Sequence, residues 1–118
     1  MYKSALLCLL ALLPGAVTAD APVVLRVATF NTSLYSDQAG GLIARLQAGD
    51  PGARKIAAVI QKQRPDILLL NEFDFDADGL AADLFQADYL QVAQYGQQAI
   101  HYPYRFFAPV NTGVDSGF

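Results

Sequence analysis

Apolar and polar positions change their spacing several times along the chain, and each change marks an element. Residues 23–30, VVLRVATF, form a β-branched and aromatic run broken only by Arg26, which predicts a strand stopped by the polar cluster Asn31, Thr32, Ser33. Leu42, Ile43 and Leu46 then share one helical face, and Gly49 follows as a stop signal. Asp50 is placed as an N-cap with Pro51 at the first helical position, where a missing N–H costs nothing. Ala53, Ile56, Ala57 and Ile60 recur at helical spacing, while Arg54, Lys55, Lys62 and Arg64 fall elsewhere or in the last turn, so this helix ends before Pro65. Residues 67–70, ILLL, lie between Pro65-Asp66 and Asn71-Glu72-Phe73-Asp74, and so many apolar positions in a row predict a short strand buried on both faces. A strand, helix, strand order is a crossover, and crossovers join parallel strands.

Beyond this unit the pattern weakens. Asp78 is the expected N-cap of a helix carrying Leu80, Leu84 and Phe85. Residues 89–92 read as a strand, residues 94–98 as a polar loop around Gly96, and residues 102–108 as a strand with Pro103 and Pro109 at its margins. The aromatic cluster Tyr102, Tyr104, Phe106 and Phe107 is assigned to core packing. After Pro109 come Asn111, Thr112, Gly113, Asp115, Ser116 and Gly117, all turn formers, and the expectation is a loop cut in mid-course. No internal repeat or low-complexity tract is present.

The N-terminus is of a different kind. Lys3 precedes the apolar run ALLCLLALL at residues 5–13, then come Pro14 and Gly15, with Val17 and Ala19 in the small-residue pattern that precedes signal peptidase cleavage. Residues 1–19 are therefore expected to be a secretory signal peptide, with Asp20 as the mature N-terminus and a secreted or periplasmic destination. The run is far short of the roughly 20 residues that span a bilayer, and no other stretch reads as a membrane span. Cys8, the chain's one cysteine, lies inside the leader, so the exported part has no disulfide and no thiolate metal site. The whole chain has eight Lys plus Arg against eleven Asp plus Glu, a formal charge of −3, and losing Lys3 makes the remainder more acidic. An acidic surface provides no electrostatic footprint for long nucleic acid, although a nuclease working through a bound metal and a local groove stays possible on this count.

If the two strands of the crossover are parallel neighbours, Asn31 and Glu72 occupy the same sheet edge, where open α/β sheets bind ligands. An amide oxygen and a carboxylate are hard donors suited to Mg²⁺, Mn²⁺ or Ca²⁺. Taken singly, Asn31 is a turn former and Glu72 a solvated strand-end charge. Their pairing at matched strand ends favours the metal. Asp74, two residues on, is a candidate to stand behind a metal held by Glu72. Asp74, Asp76, Asp78 and Gly79 fit the first half of a calcium loop, but the twelfth position is Phe85 where a bidentate Glu is needed. Arg105 is the one cation after Arg64 and a candidate phosphate contact, against the plainer reading of a solvated charge.

Residues 27–31, VATFN, followed by the helix with Arg54, Ile56, Ala57 and Ile60, and then Pro65-Asp66-Ile67 and Leu68-Leu69-Leu70-Asn71-Glu72, resemble the start of the endonuclease/exonuclease/phosphatase superfamily, the DNase I-like group. The resemblance covers residues 26–72, with Asn71 where Gln often stands before the Glu. It implies an α/β fold, the N-terminal part of a two-sheet sandwich of mixed sheets flanked by helices, occupying residues 20–118 as a truncated domain. It further implies metal-dependent hydrolysis of a phosphate ester, with Mg²⁺ or Mn²⁺ at Asn31 and Glu72 and a substrate that is nucleic acid, phospholipid or small phosphoester. The family's catalytic His and its Ser-Asp-His motif have no counterpart here. His101, followed by Tyr102 and Pro103, matches no such motif and receives no role. The expected state is an inactive monomeric fragment. The competing expectation is a non-catalytic secreted α/β binding module, calcium-stabilised through Asp74, Asp76 and Asp78.

Overall fold

A computed structural model describes residues 21–109 and 117. The leader expected over residues 1–19 lies outside them, as does the loop expected over residues 110–118 apart from residue 117. The described chain is a mixed α/β unit of strand β1 (Val27–Leu34), helices α1 (Gly41–Gln47) and α2 (Pro51–Gln63), strand β2 (Ile67–Phe73) and helix α3 (Leu80–Leu84), which runs on into a π-helical turn at Phe85–Leu90. The strands pair in parallel, with Val27 opposite Ile67 and Asn31 opposite Asn71. The crossover read from the sequence is therefore present, and α2 begins as expected: the Asp50 carboxylate accepts from Ala53 N–H at 2.8 Å, with Pro51 at the first turn.

One core joins the elements. Leu34, Leu42, Leu46, Ala53, Ala57, Ile60, Ala81, Phe85, Tyr89, Leu90 and Ile100 are buried together, and Phe30, Leu68, Leu70 and Phe73 bring the covered face of the sheet against them. Among the described residues the other face stays open. Val27, Ile67 and Leu69 are 67%, 53% and 60% exposed, which corrects the expectation that ILLL is buried on both sides. Successive strand side chains point to opposite faces, and helices cover only one face of this sheet.

Several boundaries also move. β1 starts at Val27 instead of Val23, because its partner strand begins at Ile67 and no described strand runs beside residues 23–25. It also continues past Asn31 through the polar cluster. Helix α3 takes its cap from Asp76 instead of Asp78: the Asp76 carboxylate accepts from Leu80 N–H at 2.7 Å and from Ala81 N–H at 3.0 Å. Residues 89–92 are not a strand. Phe85, Tyr89 and Leu90 must all enter the core, and residues five apart share a face only when the helix widens to i→i+5 bonding, as in the 2.9 Å bond from Gln91 N–H to Gln86 O.

Polar groups hold this turn in place. Buried Gln61 donates through Nε2 to the carbonyls of Tyr89, Leu90 and Val92, at 3.2, 2.9 and 2.7 Å, and accepts from Gln94 N–H at 3.0 Å. The Tyr89 hydroxyl donates to Leu46 O at the end of α1, at 2.6 Å. Burial pushes this phenol above the ordinary tyrosine range.

Residues 102–108 form no strand. Gln86 bonds Tyr102 twice, donating to its carbonyl and accepting from its N–H, both at 3.1 Å, and the Tyr102 hydroxyl donates to Pro65 O at 2.9 Å. A side-chain amide has taken the place of a neighbouring strand. Of the aromatic cluster assigned to the core only Tyr102 packs against it; Tyr104 and Phe106 are each 90% exposed. Among the described residues no helix is long and apolar enough to cross a membrane.

Candidate metal centre

The C-terminal ends of β1 and β2 depart from regular strand geometry at one place. Between the pairs Asn31–Asn71 and Leu34–Phe73, β1 spends one residue more than β2, a bulge in the parallel ladder. Two non-glycine residues there adopt left-handed backbone, Ser33 at φ 50° and Glu72 at φ 51°. Each such residue costs on the order of 1–3 kcal/mol and persists only where its surroundings enforce it.

Thr32 enforces it. Its side chain is buried on the helix side, and its Oγ1 lies 3.0 Å from both Asn71 O and Glu72 O, so one hydroxyl ties the bulge to the kinked end of β2. The kink also shifts the phase of β2. In an unbroken strand the exposed positions 67, 69 and 71 would send residue 72 toward the helices; instead Glu72 is exposed and Phe73 turns inward. The bent backbone keeps a carboxylate out of the core and next to the end of β1.

Asn31 and Glu72, the two candidates from the sequence, are brought to the same end of adjacent strands, and Ser33 links them. Its N–H donates to Asn31 Oδ1 at 3.2 Å, the bond of an Asx turn, and its hydroxyl bonds Glu72 Oε2 at 3.2 Å. Ser33 was missed in the sequence. An Asn followed two residues later by a residue with a free N–H is a usable hint of the Asx turn, but no local signal announces a bond to a residue 39 positions away. On the outward sheet face Asn71 Nδ2 donates to Thr29 Oγ1 at 2.8 Å.

Asp74 joins the two strand exits: its N–H donates to Leu34 O at 2.9 Å and its Oδ2 accepts from Ser36 N–H at 2.8 Å. Beside it lies a cavity of about 170 Å³ whose lining includes Ser36, Gln38, Ile43, Asp74, Phe75 and Asp76. This falls short of the roughly 300 Å³ at which small-molecule pockets begin. Arg105 is engaged by an ion pair with Asp83 and lies over the Phe107 ring, 5.1 Å from its centroid. His101 Nδ1 is 2.8 Å from Gln91 Nε2. No group of three or more His, Cys, Asp or Glu side chains is gathered among the described residues. In comparisons with known proteins, the chain matches no family model, no curated protein and no solved structure.

Proposed function

We propose that the chain provides the N-terminal, metal-ligating part of an exported phosphoesterase with a DNase I-like two-sheet sandwich, holding Mg²⁺ or Mn²⁺ through Glu72 and Asn31. The observation that carries the proposal is the paired left-handed backbone at Ser33 and Glu72, which turns the carboxylate outward beside Asn31 at the end of a parallel strand pair. Local strain of this kind concentrates at functional sites, and bulges there re-aim side chains.

The donor set fits a hard divalent cation. A carboxylate has about four lone-pair sites and an amide oxygen two, so the bonds from Ser33 leave capacity for a cation on both side chains. Mg²⁺ keeps several waters and asks for one or two carboxylates, not a full protein cage. When bound, such a cation polarises a phosphoryl oxygen and stabilises the departing oxygen. The chain's own contribution is orientation: Ser33 holds Asn31 Oδ1 and Glu72 Oε2 in place, and Thr32 holds the backbone that presents Glu72. No side chain of this sequence is assigned as the base that would activate water, and the substrate is a phosphate ester of unspecified class.

The test is Mn²⁺ titration followed by water-proton relaxation, in the unmodified chain and in the Glu72→Gln and Asn31→Ala variants. Saturable binding in the millimolar range, lost in Glu72→Gln and weakened in Asn31→Ala, is the expected result. Binding that survives Glu72→Gln removes the site. In the same samples a nitrophenyl phosphodiester is expected to stay intact, because water attack also requires a positioned base and donors for the developing charge. Metal-dependent turnover would mean that the catalytic groups have been misassigned.

A further inference from the structure

After Tyr102 is fixed by its three hydrogen bonds, residues 103–109 run back without regular structure and touch the molecule again at α3 and at the loop of residues 74–79. The contacts there centre on Arg105 and Phe107. Arg105 pairs with Asp83 on α3, its guanidinium covers the Phe107 ring, and that ring rests on Phe75 with centroids 5.9 Å apart. Beneath them is Gly79, buried and at φ 70°. A Cβ there would come within 2.9 Å of Phe107 Cζ and 3.0 Å of Arg105 Nη2, so both side-chain tips would have to shift to admit one. Tyr104 and Phe106, which alternate with the contacting residues, have no such seat and stay 90% exposed.

We propose that residues 103–109 are a strap hinged at Tyr102 and latched electrostatically through Arg105 and Phe107, and that the latch sets the mobility of the loop carrying Phe75 and Asp76, one wall of the cavity beside Asp74. Phe75 is shared: it lines that cavity and it supports Phe107. Freeing the strap therefore removes the outer support of the cavity wall while the root at Tyr102 stays docked. An exposed ion pair and a cation–π contact are both weakened when charge is removed, and the pair is screened by salt. The strap consequently opens with ionic strength while the core, held by apolar burial, does not. This inference does not depend on a metal at Glu72.

Trypsin reads the strap directly, because cleavage after Arg105 requires local opening, and the helical Arg54–Lys55 site in the same digest reports on global unfolding. Asp83→Asn removes the charge partner from an exposed position without touching the core. Cleavage at Arg105 is expected to rise about 2- to 5-fold in Asp83→Asn, and to rise in the unmodified chain when NaCl goes from 50 to 500 mM, both relative to the helical site. Hydrogen exchange at residues 74–79 is expected to rise in step, while exchange at α2 is unchanged. Gly79→Ala, which crowds the tips of Phe107 and Arg105, should raise cleavage at Arg105 without altering any charge; because a side chain at φ 70° also strains residues 74–79 directly, exchange there is read from Asp83→Asn and from the salt series. If Asp83→Asn leaves cleavage at Arg105 unchanged, there is no electrostatic latch. If cleavage rises but exchange at residues 74–79 does not, the strap does not control the loop.

Discussion

At the scale of single residues, Glu72 is held in a backbone conformation that its side chain does not favour. Glycine adopts φ > 0 at no steric cost, whereas alanine and glutamate do not. Glu72→Gly is therefore expected to be more stable than Glu72→Ala by about 1 kcal/mol in urea unfolding, reversing the usual order of these residues in a strand, while both variants lose the carboxylate. If Ala proves the more stable, position 72 is not strained in solution. Asp50 is a second residue with a separable role. Burial alone would raise its pKa, but the Ala53 N–H and the Arg45 guanidinium, paired at 2.7 Å, outweigh burial and bring it below the ordinary value. A carboxyl lowered in the folded state adds stability above its unfolded pKa of about 3.9 and loses it as pH falls through the lower folded value. Asp50→Ala should cost about 1–2 kcal/mol at neutral pH, and Asp50→Asn, which still caps, distinctly less. The difference between wild type and Asp50→Ala should shrink below about pH 4.

Among the elements, the π-helical turn depends most on a residue outside it. Gln61 on α2 satisfies three carbonyls of this turn and its exit, and takes one N–H from Gln94. Replacing it with leucine keeps the volume and takes the partner from Val92 O and Gln94 N–H, each worth about 1–3 kcal/mol when unpaired, while Tyr89 O keeps Gln94 Nε2 and Leu90 O keeps Ile100 N–H. Gln61→Leu is accordingly expected to lower stability by about 3 kcal/mol, with hydrogen exchange at Tyr89 to Gln94 rising more than at α1. Equal exchange across both elements would show that Gln61 acts through overall packing and not as a cap.

At the scale of the molecule, the open face of the two-stranded sheet is the dominant physical liability. Val27, Ile67 and Leu69 present adjacent apolar side chains on a face where Thr29 and Asn71 are uncharged, and apolar surface of this kind favours association. Sedimentation of the purified chain should show concentration-dependent association, and Ile67→Thr with Leu69→Thr should reduce it while leaving helical circular dichroism in place. Unchanged association in the double variant would move the contact elsewhere.

Helices α1 and α2, the Asp50 cap and the parallel crossover were readable from the chain alone, because periodicity, capping and Pro65 act within a few residues of one another. The placement of Asn31 and Glu72 at one end of neighbouring strands also followed, since parallel strands share their ends. Only the tertiary structure decided the rest. Which sheet face is covered depends on how many helices reach it, and an unbroken ILLL is silent on that. The bulge at Thr32–Ser33 and the bend at Glu72 come from a hydroxyl bonding across the ladder, and the widened turn at Phe85–Leu90 comes from three side chains competing for one core, supported by an amide on another helix. The strap replaced an expected strand because Gln86 had already taken the hydrogen bonds of Tyr102. Each of these outcomes was set by a partner some 16 to 40 positions away along the chain, beyond the reach of any local pattern.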